Sequence, residues 1–203
     1  AKIVGKSGVS KNVSGVTDEP PLDQQLEFIR EVLPSLKTLG IVWNAGEDNA
    51  RATIGALQKL AKKHEITLKI ISVTKAADIP QAINKLSAYV DAFYIPNDNL
   101  MASSIESVIK GAHGARKPVF AADILLVERG CLGMRGVDYY EIGIQTGRMA
   151  CGILEGKPLK PFEKPKVLKT YLNQNSAEKL GIKFPENISK GADKMFPLKT
   201  KID

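Results

Sequence analysis

Two histidines, two cysteines and a single tryptophan in 203 residues leave little material for several kinds of chemistry. Cys131 and Cys151 are neither paired at motif spacing nor close to His64 or His113, so a zinc site has no support. Both cysteines stand in apolar surroundings, "GCLGM" and "MACGIL", and read as buried small hydrophobes, with a disulfide between them left open. No apolar run approaches ~20 residues, so nothing reads as a membrane span. There is no Gly-x-Ser-x-Gly elbow, no Gly-x-Gly-x-x-Gly after the first strand, and no acid or nucleophile at motif spacing from either histidine. "GKS" at 5–7 matches only the end of a phosphate-binding loop, and "GVSKNVSG" does not continue as a helix. The expectation is a chain without catalytic residues, metal or cofactor.

What is present is uneven. Residues 1–156 carry 18 Lys+Arg against 17 Asp+Glu, while residues 157–203 carry 11 against 5, so the net charge of +7 lies in the tail. Those lysines are scattered singly among prolines rather than gathered on a face with aromatics, which argues for a solvated surface and against nucleic acid as a partner. The chain opens at Ala1 in the polar run "AKIVGKSGVSKN", which reads as a cut end; the lack of a signal segment is then uninformative.

From residue 20 the apolar pattern alternates between two periods. "PPLDQQLEFIREVLP" places Leu22, Leu26, Ile29 and Leu33 on one helical face, stopped by Pro34. "LGIVWN" (39–44) is a short continuous apolar run, the pattern of a strand covered on both faces. A helix with Ala50, Ile54, Leu57 and Ala61 in line follows, then the strand "LKIISV" (68–73) and a helix opened by Asp78. After these come the strand "DAFYI" (91–95), a helix aligning Met101, Ile105, Val108 and Ala112, and the strand "PVFAAD" (118–123). A short helix, the strand "CLGMRGV" (131–137) and a helix ending at Gly156 complete the series. This spacing predicts an α/β fold: a parallel sheet flanked by helices on both faces. The proline-bearing "GKPLKPFEKPK" (156–166) reads as a linker and "VLKTYL" as a late strand. "NSAEKLG" reads as a short helix capped at Asn175 and stopped by Gly181, and residues 184–203 as surface.

In such a sheet, ligands bind beyond the carboxyl ends of the strands. Those ends hold Asn44 and Glu47 after "LGIVWN", Asn97, Asp98 and Asn99 after "DAFYI", Asp123 after "PVFAAD", and Asp138 and Tyr140 after "CLGMRGV". Asp48, Asp98 and Asp138 also suit helix capping, whereas Asp123 precedes a helix that serine would cap as well. Taken together, the residues read as a polar crest. Helix N-termini favour an anionic group and neighbouring carboxylates a cationic one, so a zwitterion fits both. Tyr139, Tyr140 and Trp43 offer flat apolar surface, although Trp43 inside a strand also reads as core.

The blocks "NVSGVTD", "LDQQLEFIREVLP", "GIVWNAGEDNA", "DAFYIPNDN", "KPVFAAD", "GVDYYEIGIQTGRMACGILEGKP" and "LNQNSAEKLGIKFP" occur in this order across residues 12–192. Together they resemble the substrate-binding proteins of bacterial ABC transporters, in particular members that bind tryptophan and other aromatic amino acids. One small departure is Ala45, where relatives often carry proline. The resemblance implies a type I periplasmic-binding fold, two α/β lobes closing on a small molecule. It also implies that most of a first lobe, roughly a hundred residues, is missing ahead of "NVSGVTD". Residues 1–19 would be a remnant of that lobe and the hinge, and 20–138 the second, ligand-binding lobe. Residues 139–166 would be a helix and linker of the first lobe, and 167–203 a return strand, short helix and tail on the second.

By position, the implied ligand contacts are Asn44, Glu47, Asn97, Asp98, Asn99 and Asp123, with Asp138 and Tyr140 near the hinge. Asp123 would meet a ligand ammonium and the turn at 97–99 would orient it. The implied partners are a small-molecule ligand, an amino acid, and an ABC permease. The implied location is periplasmic or extracytoplasmic and membrane-anchored, and bared apolar surface near 139–155 predicts self-association. Two other readings share the architecture: the effector domain of a transcription regulator, and an enzyme using Asp123 or Asp138 as a base.

Overall fold

The computed structural model describes residues 13–158 and 162–197. The "GKS" segment lies outside the described residues, as does part of the proline-bearing linker. The chain divides into two compact units, Pro21–Gly136 with Thr170–Asp203, and Ala1–Pro20 with Val137–Lys169.

The larger unit opens with helix α1 (Leu22–Val32), strand β1 (Thr38–Asn44), helix α2 (Asp48–Lys63) and strand β2 (Thr67–Val73). Helix α3 (Ile79–Ser87), strand β3 (Ala92–Ile95), helices α4 (Asn99–Ser103) and α5 (Ile105–Gly114), strand β4 (Val119–Ala121) and helix α6 (Ile124–Glu128) follow. Strand β5 (Gly133–Val137) leads out of this unit, and strand β6 (Leu168–Asn173) leads back into it. Helix α8 (Gln174–Leu180), helix α9 (Glu186–Lys190) and strand β7 (Lys194–Phe196) close it. The sheet runs β2-β1-β3-β4-β5-β6-β7, and the pairs β1–β2, β1–β3, β3–β4, β4–β5 and β6–β7 are parallel.

Alternation along the strands sends side chains to two cores. Phe93, Ile95, Val119 and Ala121 point to the layer packed by α3 and α5, with Ile83, Ile105 and Val108 against them. Tyr94, Phe120, Leu39 and Ile41 point the other way, toward Leu26, Phe28 and Ile29 of α1 and Leu57 of α2. This is why β3 and β4 read as unbroken apolar runs: both faces are covered. Trp43 packs against the α1/α2 side, in keeping with the core reading. At Gly133 a Cβ would meet the Tyr171 carbonyl oxygen at 2.9 Å and the Phe28 ring at 3.1 Å, so glycine lets β5 pass β6 and lets Phe28 pack.

Four expectations need correction. The helix drawn through Met101 and Ala112 is two, because the chain breaks at Ser104, whose N–H bonds both the Leu100 and Met101 carbonyls. The cap of α8 is Asn173, not Asn175: its Oδ1 accepts from Ser176 N at 2.9 Å. Gly181 does stop that helix, in the left-handed region at φ 68°. Residues 184–197 are not merely surface, since Ile188 and Phe196 are buried and β7 completes the sheet; two apolar anchors suffice for so short a pair of elements. Cys131 is buried and burial pushes its thiol up, but Cys151 is exposed and both are free.

In the smaller unit, helix α7 (Tyr139–Leu154) buries none of its sixteen residues, which is why Cys151 is exposed. Gly156, at φ 83°, ends the turn after it. Val16 bridges Glu163, and Gln145 holds the same strip through Glu163 Oε2, the Lys164 carbonyl and Lys166 N, each at 3.1 Å.

Candidate functional site

Strand order places the reversal of the sheet at β1: its chain successor β2 lies on one side and β3 on the other. The carboxyl ends of β1 and β3 therefore flank the crevice where an open α/β sheet receives ligands. The loops leaving these ends are the ones that carry Asn44, Glu47, Asn97, Asp98 and Asn99.

They are tied together. Asn44 folds its own turn, with Oδ1 accepting from Gly46 N at 3.0 Å and Nδ2 donating to Glu47 Oε1 at 3.3 Å. Its backbone N–H donates across the crevice to Asp98 Oδ2 at 2.5 Å, while Asp98 Oδ1 takes Met101 N at 3.0 Å as the cap of α4. Asp98 is only 4% exposed. Burial pushes its carboxyl up; the N–H groups of Asn44 and Met101 oppose that, and the Glu47 charge adds to it. Glu47 receives Asn99 N on both oxygens at 3.1 Å, Asn99 Nδ2 at 3.0 Å and Leu100 N at 3.3 Å. Burial raises the Glu47 carboxyl, but the bonds from Asn99, Leu100 and Asn44 outweigh it and hold it below its ordinary value. Asn49 Nδ2 donates to the Asn97 carbonyl at 3.3 Å.

Asp123, at the end of β4, is half-buried. Its Oδ1 accepts from Leu125 N at 2.8 Å and so caps α6, a role the sequence left less certain than for Asp98 and Asp138. Among the described residues no group bonds its Oδ2, and none bonds the side-chain amide of Asn97. Asp48 is not a cap: it is the first residue of α2, and Glu47 holds the cap position with no side-chain bond to its own helix.

Asp138 and Tyr140 belong to the smaller unit. Asp138 Oδ1 accepts from Tyr140 N at 2.9 Å and Glu141 N at 3.2 Å, capping α7, and Lys169 Nζ lies 4.0 Å from its Oδ2. Tyr140 is 73% exposed.

Two participants escape the sequence pattern. Asn49 is one helical step past the crest and gives no signal of its own. Leu125, 62% exposed near Asp123, is the odd member of four consecutive apolar residues in α6, of which Leu126 and Val127 are buried and Ile124 packs partly against the core. A five-residue helix cannot bury four neighbours on one face, and that is the signal that marks it.

Among the described residues one group has metal-ligand spacing: Asp23, Glu27 and His64, with ligand atoms within 4.8 Å of one another. Lys63 Nζ already sits 2.7 Å from Asp23 Oδ2, and His64 Nε2 2.6 Å from Oδ1. These bonds hold the Asp23 carboxyl below its ordinary value, and through Lys63 and His64 they tie Asp23 of α1 to the end of α2. Among the described residues no helix is long and apolar enough to cross a membrane.

Comparison with known proteins gives a family. Residues 1–196 match the model for ABC transporter substrate binding proteins. The chain is 33% identical over 146 residues to the tyrosine-binding protein of Clostridioides difficile (strain R20291), covering 72% of this chain and 42% of that one. Among solved structures, a conserved domain protein from Vibrio cholerae is 38% identical with a TM-score of 0.80. The ABC domain from Streptococcus pneumonia in complex with L-Trp is 30% identical with a TM-score of 0.79. Each match covers 91% of this chain and 63% of the solved chain. The chain spans about half the length of the curated relatives it matches, 42% of one and 57% of another. The parallel sheet and its flanking helices are those of the type I periplasmic-binding architecture. Members of the family bind solutes rather than transform them, and the family is typically extracytoplasmic. The chain belongs to the family of ABC transporter substrate binding proteins.

Proposed function

We propose that this chain is the ligand-binding half of a solute receptor that captures an aromatic amino acid and delivers it to an ABC permease, making and breaking no bond. In a protein of the relatives' length, Pro21–Gly136 with Thr170–Asp203 acts as the second lobe, and the unit containing α7 belongs with the first. Ligand bridging two lobes favours the closed state by its differential affinity for it. The protein works outside the cytoplasmic membrane, anchored to it.

The observation that carries this reading is the rim itself: Asp123 presents an oxygen, and Asn97 an amide, that no described residue bonds, both at carboxyl ends of adjacent parallel strands. Asp123 suits an ammonium, Asn97 suits a carboxylate or a second ammonium hydrogen, and exposed Leu125 gives an aromatic side chain a surface. Asn44, Glu47, Asp98 and Asn99 build the floor beneath them. Relatives whose names specify tyrosine and L-Trp support the ligand class.

The test is calorimetric titration of the protein at its natural length with the twenty amino acids. Saturable binding of tyrosine or tryptophan without turnover is expected. Preference for a sugar or nucleoside would refute the ligand class, and turnover would restore the enzyme reading. The exposed Ile144, Ile153 and Leu154 of α7 favour self-association of the 203-residue chain, which sedimentation at rising concentration detects.

A further inference from the structure

The crevice between β1 and β3 is crossed by hydrogen bonds that ligand capture does not itself require. Glu47 leads α2 yet its side chain bonds nothing in its own helix; its carboxylate faces the opposite loop and accepts from Asn99 N, Asn99 Nδ2 and Leu100 N, as well as from Asn44 Nδ2. A carboxylate offers about four lone-pair sites, so these donors fill it. Asp98 closes the same gap from the other side through Asn44 N, and Asn49 grips the Asn97 carbonyl. Residues 97–100 are thus each held to the segment 44–49, Asn97 by its carbonyl, Asp98 by its carboxylate and Asn99 and Leu100 by their backbone N–H groups, while the Asn97 side chain stays free of described partners.

We infer that Glu47 is a positioning residue: it sets ligand affinity through Asn97, by clamping the β3–α4 turn, and does not itself touch the ligand. This rests on the binding function proposed above. A clamped turn is ordered before ligand arrives, whereas a loose one must be ordered on binding at the expense of affinity. Glutamine keeps the size of the side chain but offers one acceptor oxygen, so its NH2 meets either the Asn99 N–H and Nδ2 or the Leu100 N–H and Asn44 Nδ2. Glu47→Gln therefore opens the clamp without creating a cavity.

The experiment is a double-mutant cycle in the natural-length protein, titrated with L-tyrosine and L-tryptophan, with amide hydrogen exchange read at Asn99 and Leu100. Glu47→Gln should speed exchange at both amides and weaken binding about tenfold, while in an Asn97→Ala background it should weaken binding less than about twofold. If the two losses multiply, Glu47 contacts the ligand directly and the inference is wrong. Unchanged affinity in Glu47→Gln, with Asp123→Ala still weakened, overturns the inference and leaves the binding function standing. Silence of the unsubstituted protein toward both amino acids overturns the two together. Should Glu47→Gln fail to fold, Asn99→Ala removes one donor from the exposed side of the clamp; a loss of about threefold, again absent beside Asn97→Ala, is expected, and an additive loss refutes the clamp.

Discussion

β3 and β4 are neighbours in one sheet, and each ends in an aspartate that caps the next helix. Asp98 and Asp123 share this local grammar, yet their surroundings differ. Asp98 is buried, with one oxygen on the cap and the other on the N–H of Asn44 in a neighbouring strand. Asp123 is half-buried, with one oxygen on its cap and the other without a described partner. The difference arises from position in the sheet. Asp98 lies at the β1/β3 reversal, where the next loop is close enough to use its second oxygen. On the other side β4 faces β5, and no described residue beyond that strand bonds the second oxygen of Asp123. Capping and binding are thus not rival explanations for such a residue. A carboxylate has two oxygens, and what remains after the cap decides its role.

The largest effect should come from removing the buried member of the pair. Asp98→Ala orphans the N–H groups of Met101 and Asn44 around a buried side chain, and should destabilise the fold by about 3 kcal/mol. Urea denaturation measures it, and a loss below that of an ordinary exposed cap would erase the contrast with Asp123. Asp123→Ala removes only one cap bond of a short helix and should cost about 1 kcal/mol of stability. Its affinity for tyrosine or tryptophan, at natural length, should fall by about 2 kcal/mol, since truncation leaves a desolvated ammonium unpaired. Equal affinity with and without Asp123 would remove it from the site.

The sequence carried the sheet well because β3 and β4, covered on both faces, have no polar position to confuse the pattern. It placed the crest residues at strand ends for the same reason, since the ends of such runs are sharp. What it did not carry is non-local. The Asn44–Asp98 and Glu47–Asn99 bonds span more than fifty residues, and no spacing rule distinguishes an aspartate used twice from one used once. The break at Ser104 depends on carbonyl geometry that apolar periodicity ignores, because Met101, Ile105, Val108 and Ala112 face the core on either side of it. β7 was missed because an edge strand of three residues with one buried side chain has no period to read.

The smallest effect is also the most specific to the clamp, because its two carboxylates titrate with opposite signs. Glu47 is held below its ordinary value, chiefly by bonds from Asn99 and Leu100 acting against burial, so its contribution to stability is complete above the ordinary glutamate range. That contribution is lost as pH falls through its folded value. Asp98 is pushed above its ordinary value by burial, so between its unfolded and folded values the folded chain binds more protons than the unfolded one. Its charge therefore weighs against folding at neutral pH, and falling pH relieves that burden, whereas it removes the Glu47 contribution. Thermal melting followed from pH 7 downward should then show the two arms separately in single variants. Asp98→Asn should remove the relief, while Glu47→Gln should remove the loss and leave the relief in place. If Glu47→Gln instead leaves the acid limb unaltered, the carboxylate is not engaged by the Asn99 and Leu100 N–H groups in solution, and the β1/β3 crevice is as open as the rim beside Asp123.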